Sequence, residues 1–421
     1  MNSPLTALPR LSARDSTLAL LADPYRFIGR HAAALGSDVF EAGVFLQPTL
    51  CMTGVEAAAL FYDDTRFVRR DAAPEPLVAT LFGRGGVQAM DDAAHRHRKA
   101  LFTEVLRPER QLRLVEQVRR EWQAALHDWT LSPPFPLYAA LQPILTRAVC
   151  QWAGVPLADD DVPARSRQLV RLFDSAASGP VRHLLARRAR HQSEAWLRRL
   201  MEAARSGHTR LSADSAAHAM STHRDLDGAL LPVHVAAVEL LNVLRPVVAV
   251  SVYMTFLAHA LHAHPEWRQR LSGSQDARAC MAFVQEVRRH YPFFPAVAAR
   301  VRTDFHWNGL PFRAGQRALF DLYGTTHDPR SGRDRDRFSP ERWLDAEPDP
   351  RAFVPQGGGD AALQHRCPGE DLAGRLMRLA LDILLQSLRY DVPSQRLAPD
   401  LRRLPAVPRD GFVIERVRRA A

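Results

Sequence analysis

The sequence predicts a mainly α fold with a small β portion. Five segments, 109–130, 183–205, 229–263, 275–290 and 369–388, repeat apolar residues at three- and four-residue spacing, the period of one helix face. β-friendly runs separated by turn formers are confined to two regions, 38–54 and 296–322. No long polar Gly- or Ser-rich stretch and no internal repeat interrupts the chain, so one domain over residues 1–421 is expected.

In chain order, 38–54 reads as a hairpin, and 296–322 holds a second β region with Asn308-Gly309 as its tight turn. The 229–263 segment is the longest apolar helix. Pro246 in its middle has no N–H, so the carbonyl of Asn242 loses its helix partner and a kink is expected there.

At 46% hydrophobic residues the chain can bury a large core. The N-terminal segment lacks a basic stretch followed by an apolar one, and no run nears about 20 consecutive apolar residues, so neither leader nor membrane span is expected. Cys51, Cys150, Cys280 and Cys367 lie far apart, without CxxC spacing, which suits a reducing cytoplasm. The formal charge is +10, and of 56 basic residues only Lys99 is a lysine. No basic segment carries interleaved aromatics, so no nucleic-acid partner is expected. An anionic small substrate is compatible with the charge.

The chemistry concentrates near the C-terminus. Phe353-Val354-Pro355-Gln356-Gly357-Gly358-Gly359-Asp360 leads to His365-Arg366-Cys367-Pro368-Gly369-Glu370-Asp371. Pro368 suits a first helical position, and Glu370 and Asp371 suit a first turn. Cys367 would then sit before free backbone N–H groups that lower a thiol pKa. The glycines let the backbone approach a flat ligand. A thiolate so placed can ligate haem iron; the alternative is an ordinary buried cysteine.

Three motifs in order resemble the cytochrome P-450 superfamily: Glu286-Val287-Arg288-Arg289, Pro340-Glu341-Arg342-Trp343 and Cys367-Pro368-Gly369. The resemblance spans nearly the whole chain and implies the cytochrome P-450 fold, non-covalent haem b, and Cys367 as the axial iron ligand. Glu286 and Arg289 are i,i+3 neighbours, and Arg342 could complete a carboxylate between two guanidiniums. The cysteine loop departs from the usual Phe-x-x-Gly form. It resembles the hydrogen-peroxide-dependent fatty acid peroxygenases.

Arg245 stands inside the apolar 229–263 segment. A buried cation needs an anionic partner: either a structural acid such as Glu239, or a substrate. The usual distal acid–alcohol pair is absent, and Arg245-Pro246 matches the Arg-Pro of the peroxygenases. The resemblance implies that Arg245 clamps a carboxylate bidentately. The substrate carboxylate then serves as the acid–base group for peroxide activation. Held there, it presents its α and β carbons.

Residues 81–102 are similar to the peroxygenase segment along the substrate channel. Phe82 matches a substrate-contacting aromatic, and Gln88 a position beside the haem. His95 and Lys99 match a propionate-binding pair. Arg69 is a further propionate candidate and Phe293 a pocket-lining one. Core packing for Phe82, a solvated helix face for His95 and Lys99, and an exposed Arg69 are the alternatives. The expected activity is peroxide-driven α or β hydroxylation of a fatty acid, without a reductase, and with minor decarboxylation. A partner-fed monooxygenase, a non-catalytic fatty-acid-binding haem protein and a lipid-peroxide lyase are the competing readings.

Overall fold

The computed structural model describes residues 7–175, 179–272, 276–332, 334–345 and 349–420. Residues 1–6, which open the segment read for a leader, and residue 275, the first of one expected helix, lie outside the described residues.

The central element is the helix Val233–Ala263, buried from Val235 to Leu261 except at Pro246 and His259. Helices Leu137–Ala153, Val162–Asp174, Pro180–Arg205 and Glu370–Asp382 pack around it. It is long and apolar enough to cross a bilayer, yet 94% of its most apolar stretch is buried inside the protein. Pro246 does not interrupt it. A mid-helix proline costs about 3 kcal/mol, less than the apolar burial that encloses this helix contributes.

Helix ends moved where turn chemistry intervened. The helix expected from 183 starts at Pro180, whose missing N–H costs nothing at a first turn. The one expected from 229 starts at Val233, because Leu230 is bridged to Arg224. The one expected over 369–388 ends at Asp382. A wider turn and a strand continue its apolar period against the same core.

Among the described residues ten strands form three sheets: β1 (Val39–Val44), β2 (Gln47–Met52), β3 (Phe67–Val68), β4 (Phe135–Pro136), β5 (Ala296–Val301), β6 (Phe305–Trp307), β7 (Leu310–Phe312), β8 (Arg317–Asp321), β9 (Leu388–Asp391) and β10 (Val413–Arg419). The main sheet runs β1-β2-β8-β5-β3, with β2 and β8 parallel and the other pairs antiparallel. The first hairpin and the Asn308-Gly309 turn form as expected, with φ of 48° and 79° at the turn. The pairing of β2 with β8 joins the two β regions through more than two hundred and fifty intervening residues, which local pattern does not reveal. Apolar clusters cover both faces of this sheet, and the larger core lies among the helices.

Candidate active site

The cysteine loop is shaped by its glycines. Gly357 and Gly359 have φ of 94° and 80°. A Cβ on Gly358 would lie 2.8 Å from the Tyr62 ring. Cys367 donates its N–H to the Gln356 carbonyl at 3.2 Å. Of the four cysteines, it is the one not fully buried. The following helix begins at Glu370 with Gly369 as N-cap, so Pro368 precedes the helix instead of opening it. Burial pushes the Cys367 thiol up, and the Gly369 N–H directed at Sγ only partly offsets it. This corrects the expectation of a lowered thiol pKa: one N–H does not outweigh desolvation. A metal cation at Sγ would reverse that balance.

Helix Ala277–His290 carries the supports of this loop. Glu286 is wholly buried and accepts from Arg289 at 2.7 and 2.8 Å, from the Ser339 N–H at 2.8 Å and from the Trp343 indole at 2.8 Å. Arg342 lies 3.1 Å from the same carboxylate. The carboxylate between two guanidiniums is therefore present, with an indole as an additional donor. Arg288 grips Gln356 at 2.9 Å and pairs with Glu370, which also accepts from Arg366 at 2.6 Å. The loop is thus tied at both ends to one helix.

A second group joins two histidines, a lysine and an arginine. His95 and His365 stack at 3.9 Å. Lys99 donates to the carbonyls of Gln364 and of Arg366, the latter at 2.7 Å. Arg69 packs over the Phe61 ring at 4.4 Å. His95, Lys99 and Arg69 are all buried, so neither a solvated helix face nor an exposed Arg69 holds. Burial and neighbouring positive charge push His95 down to about 4 and His365 well below its usual range. Burial also pushes Lys99 down to about 8 and lowers Arg69.

Arg245 is buried, and its one hydrogen-bond acceptor among the described residues is the Leu81 carbonyl. Burial, with Arg190 beside it, pushes it down to about 9, while the Cys367 charge raises it. The two residues therefore face one region. Glu239 is not its partner. That carboxylate accepts from Arg98 at 2.9 Å, the Val87 N–H at 2.9 Å and Asn242 at 3.1 Å. Asn242 also donates to Gln88 Oε1 at 3.2 Å. Pro246 is the one residue between Val235 and Ala258 that is not buried, as expected of a position facing an internal space. Phe82 and Phe293 are half-buried against the helical core, and Phe293 packs on Tyr253 at 4.5 Å.

Sequence reasoning passed over three contributors. His365 was legible only as part of the cysteine motif. Arg190 donates to the Leu81 and Phe82 carbonyls at 3.2 Å from a helix distant in sequence. Asn242 enters the sequence reading only through its carbonyl, which Pro246 leaves without a helix partner. Its spacing of three from Glu239 was the available signal.

These residues fit haem. The thiol beside a helix start suits a metal ligand, and the glycine loop suits a flat ring. Three buried basic groups, Arg69, His95 and Lys99, with the half-buried His365 suit the two carboxylates that the ring carries.

A family model described as Cytochrome P450 matches residues 275–414. A variant of cytochrome P450SP alpha (CYP152B1) is 47% identical over 97% of this chain and 100% of its own, with a TM-score of 0.94. Cytochrome P450EX alpha (CYP152N1), solved with myristic acid, is 38% identical over 98% and 99%, with a TM-score of 0.94. A variant of cytochrome P450 OleT in complex with arachidonic acid is 29% identical over 98% and 99%, again at 0.94. Among curated relatives, taxane 13-alpha-hydroxylase of Taxus cuspidata is 25% identical over 38% of this chain, which spans only 37% of that protein. With a relative this similar matched over its whole length, the chain belongs to the cytochrome P450 family, and its fold is the P450 fold.

Proposed function

We propose that this P450 hydroxylates fatty acids at the α or β carbon with hydrogen peroxide and needs no reductase. The observation that carries the reading is Arg245: a buried guanidinium with no acid partner among the described residues, beside a carboxylate already committed to Arg98. A substrate carboxylate would complete it. Relatives solved with myristic and arachidonic acid support a fatty acid as that substrate.

When bound through Cys367, haem supplies an iron centre at which an oxygen atom of peroxide is passed to carbon. Arg69, His95, Lys99 and His365 would hold its two carboxylates. Arg245 binds the substrate carboxylate as a fork and so sets which carbons come nearest the iron. That carboxylate would move the proton between the peroxide oxygens, since among the described residues no side-chain acid pairs with Arg245. Pro246 follows Arg245 in the same helix, and Phe82 and Phe293 line the chain's path. Gln88, its amide oriented by Asn242, neither gives nor takes a proton near neutral pH. Hydroxy acids should therefore dominate over alkenes.

The test is incubation of the haem-loaded protein with peroxide and a panel of saturated fatty acids, without reductase, and mass spectrometry of the products. α- or β-hydroxy acids are expected. Turnover only with an electron-transfer partner, or binding without product, would replace this reading with a monooxygenase or a fatty-acid-binding protein.

A further inference from the structure

Far from Cys367 in the fold, the main sheet sets two arginines against each other. Arg300 on β5 and Arg317 on β8 are direct antiparallel partners, so their side chains leave the same face. Like charges directly opposite destabilise a sheet. Arg300 donates only to backbone carbonyls, those of Asp71 at 2.7 Å and Gly315 at 2.8 Å. Arg317 is 6% exposed, donates to Gln47 Oε1 at 2.5 Å and more distantly to the Val44 carbonyl at 3.5 Å, and has no partner for Nε. Among the described residues neither forms an ion pair. The nearby carboxylates are engaged elsewhere: Asp304 by Arg313 at 2.9 Å, Glu41 by Arg10 at 2.6 Å and Gln316 at 3.0 Å.

Both guanidiniums line a surface cleft of about 370 Å³, together with Gln47, Pro48, Arg313 and Gln316. We propose that this cleft binds a phosphate monoester, with Arg300 and Arg317 as the phosphate ligands. Two uncompensated positive charges are matched by a phosphomonoester, which carries about −1.5 to −2 near pH 7 and three strong acceptor oxygens. A carboxylate brings one charge. Guanidinium forks pair with phosphate bidentately. A water molecule's share of liquid volume is about 30 Å³, so the cleft exceeds what phosphate alone fills and leaves room for an organic remainder. This site is independent of the reaction at Cys367.

The test is calorimetric titration of the haem-loaded protein with inorganic phosphate and with phenyl phosphate, at ionic strength held constant with chloride. Saturable binding of both is expected, tighter for the ester. Arg300→Gln and Arg317→Gln should each weaken it by about tenfold or more. Arg187→Gln, at an exposed position on helix Pro180–Arg205, should leave it unchanged. Heats indistinguishable from chloride, or binding that persists in both cleft variants, would overturn the site. Equal affinity for phosphate and ester would overturn the monoester assignment. Should Arg317→Gln fail to fold, the native titration and Arg300→Gln still decide.

Discussion

At the scale of single residues, Arg245 and Cys367 make separable demands. Among the described residues Arg245 has no structural acid to strand, so Arg245→Ala should leave thermal stability and haem content near native. It should nevertheless lower peroxide-driven turnover on the order of 10²–10³-fold, the equivalent of leaving one member of a buried ion pair alone. Arg245→Lys should restore only part, because a point charge does not reproduce a fork. Unchanged turnover in the alanine variant would remove the clamp from the mechanism. Cys367→Ala should abolish the thiolate-type absorption of the reduced carbon monoxide adduct. Retention of that band would place the iron ligand elsewhere. Both residues were legible because each violates its surroundings: a cation within an apolar helix, and a cysteine between a glycine run and a helix start. Arg98 was not legible as the partner of Glu239. It is one of many arginines, and its partner lies 141 residues away.

At the scale of elements, helix Ala277–His290 is the platform on which the cysteine loop rests. Its Glu286 gathers Arg289, Arg342 and Trp343 into one buried cluster. Glu286→Gln keeps the shape but leaves Arg289, whose side chain is fully buried, without its counter-charge. A loss of about 3–5 kcal/mol is expected, read as a lower denaturant midpoint and faster haem release. A variant as stable as the native protein would reduce the cluster to incidental packing. The Glu-x-x-Arg spacing and the later Arg-Trp pair were readable in sequence. The Ser339 N–H and the Arg335 and Arg337 carbonyls that complete the cluster are backbone groups of a loop, and side-chain pattern carries no trace of them.

At the scale of the whole molecule, burial of histidines sets an acid limit. Burial pushes His259 and His327 down to about 4 and His290 down to about 3. Unfolded, each would take its proton near pH 6.5, so acid favours the unfolded chain. Their contribution is intact above that pH and is lost as pH falls toward 4. Asp321 acts the other way. Burial pushes it up to about 7, so it keeps a proton in the fold that the unfolded chain releases near pH 4. With His95 and His365, the lowered histidines outnumber Asp321, so the unfolded chain takes up more protons as pH falls, each unmatched proton worth roughly 1.4 kcal/mol per pH unit. Denaturant unfolding should therefore show lower stability at pH 5 than at pH 7, and Asp321→Asn should steepen the loss. A flat or inverted profile in the native protein would contradict this balance.

Helix existence, the two β regions, the candidate cysteine ligand and the arginine within the apolar helix were legible in the sequence itself. Each rests on local periodicity, turn chemistry or one residue out of keeping with its neighbours, and these act over a few positions. Tertiary structure alone decided the rest. It joined β2 to β8, set Glu239 on Arg98 and so left Arg245 free for another anion, and stacked His365 on His95. It also raised the Cys367 thiol where local backbone geometry argued for lowering it. The reason is common to all four. Ion pairing, ring stacking and desolvation depend on which groups share a volume, and segments far apart in the chain come to share one only when the core closes.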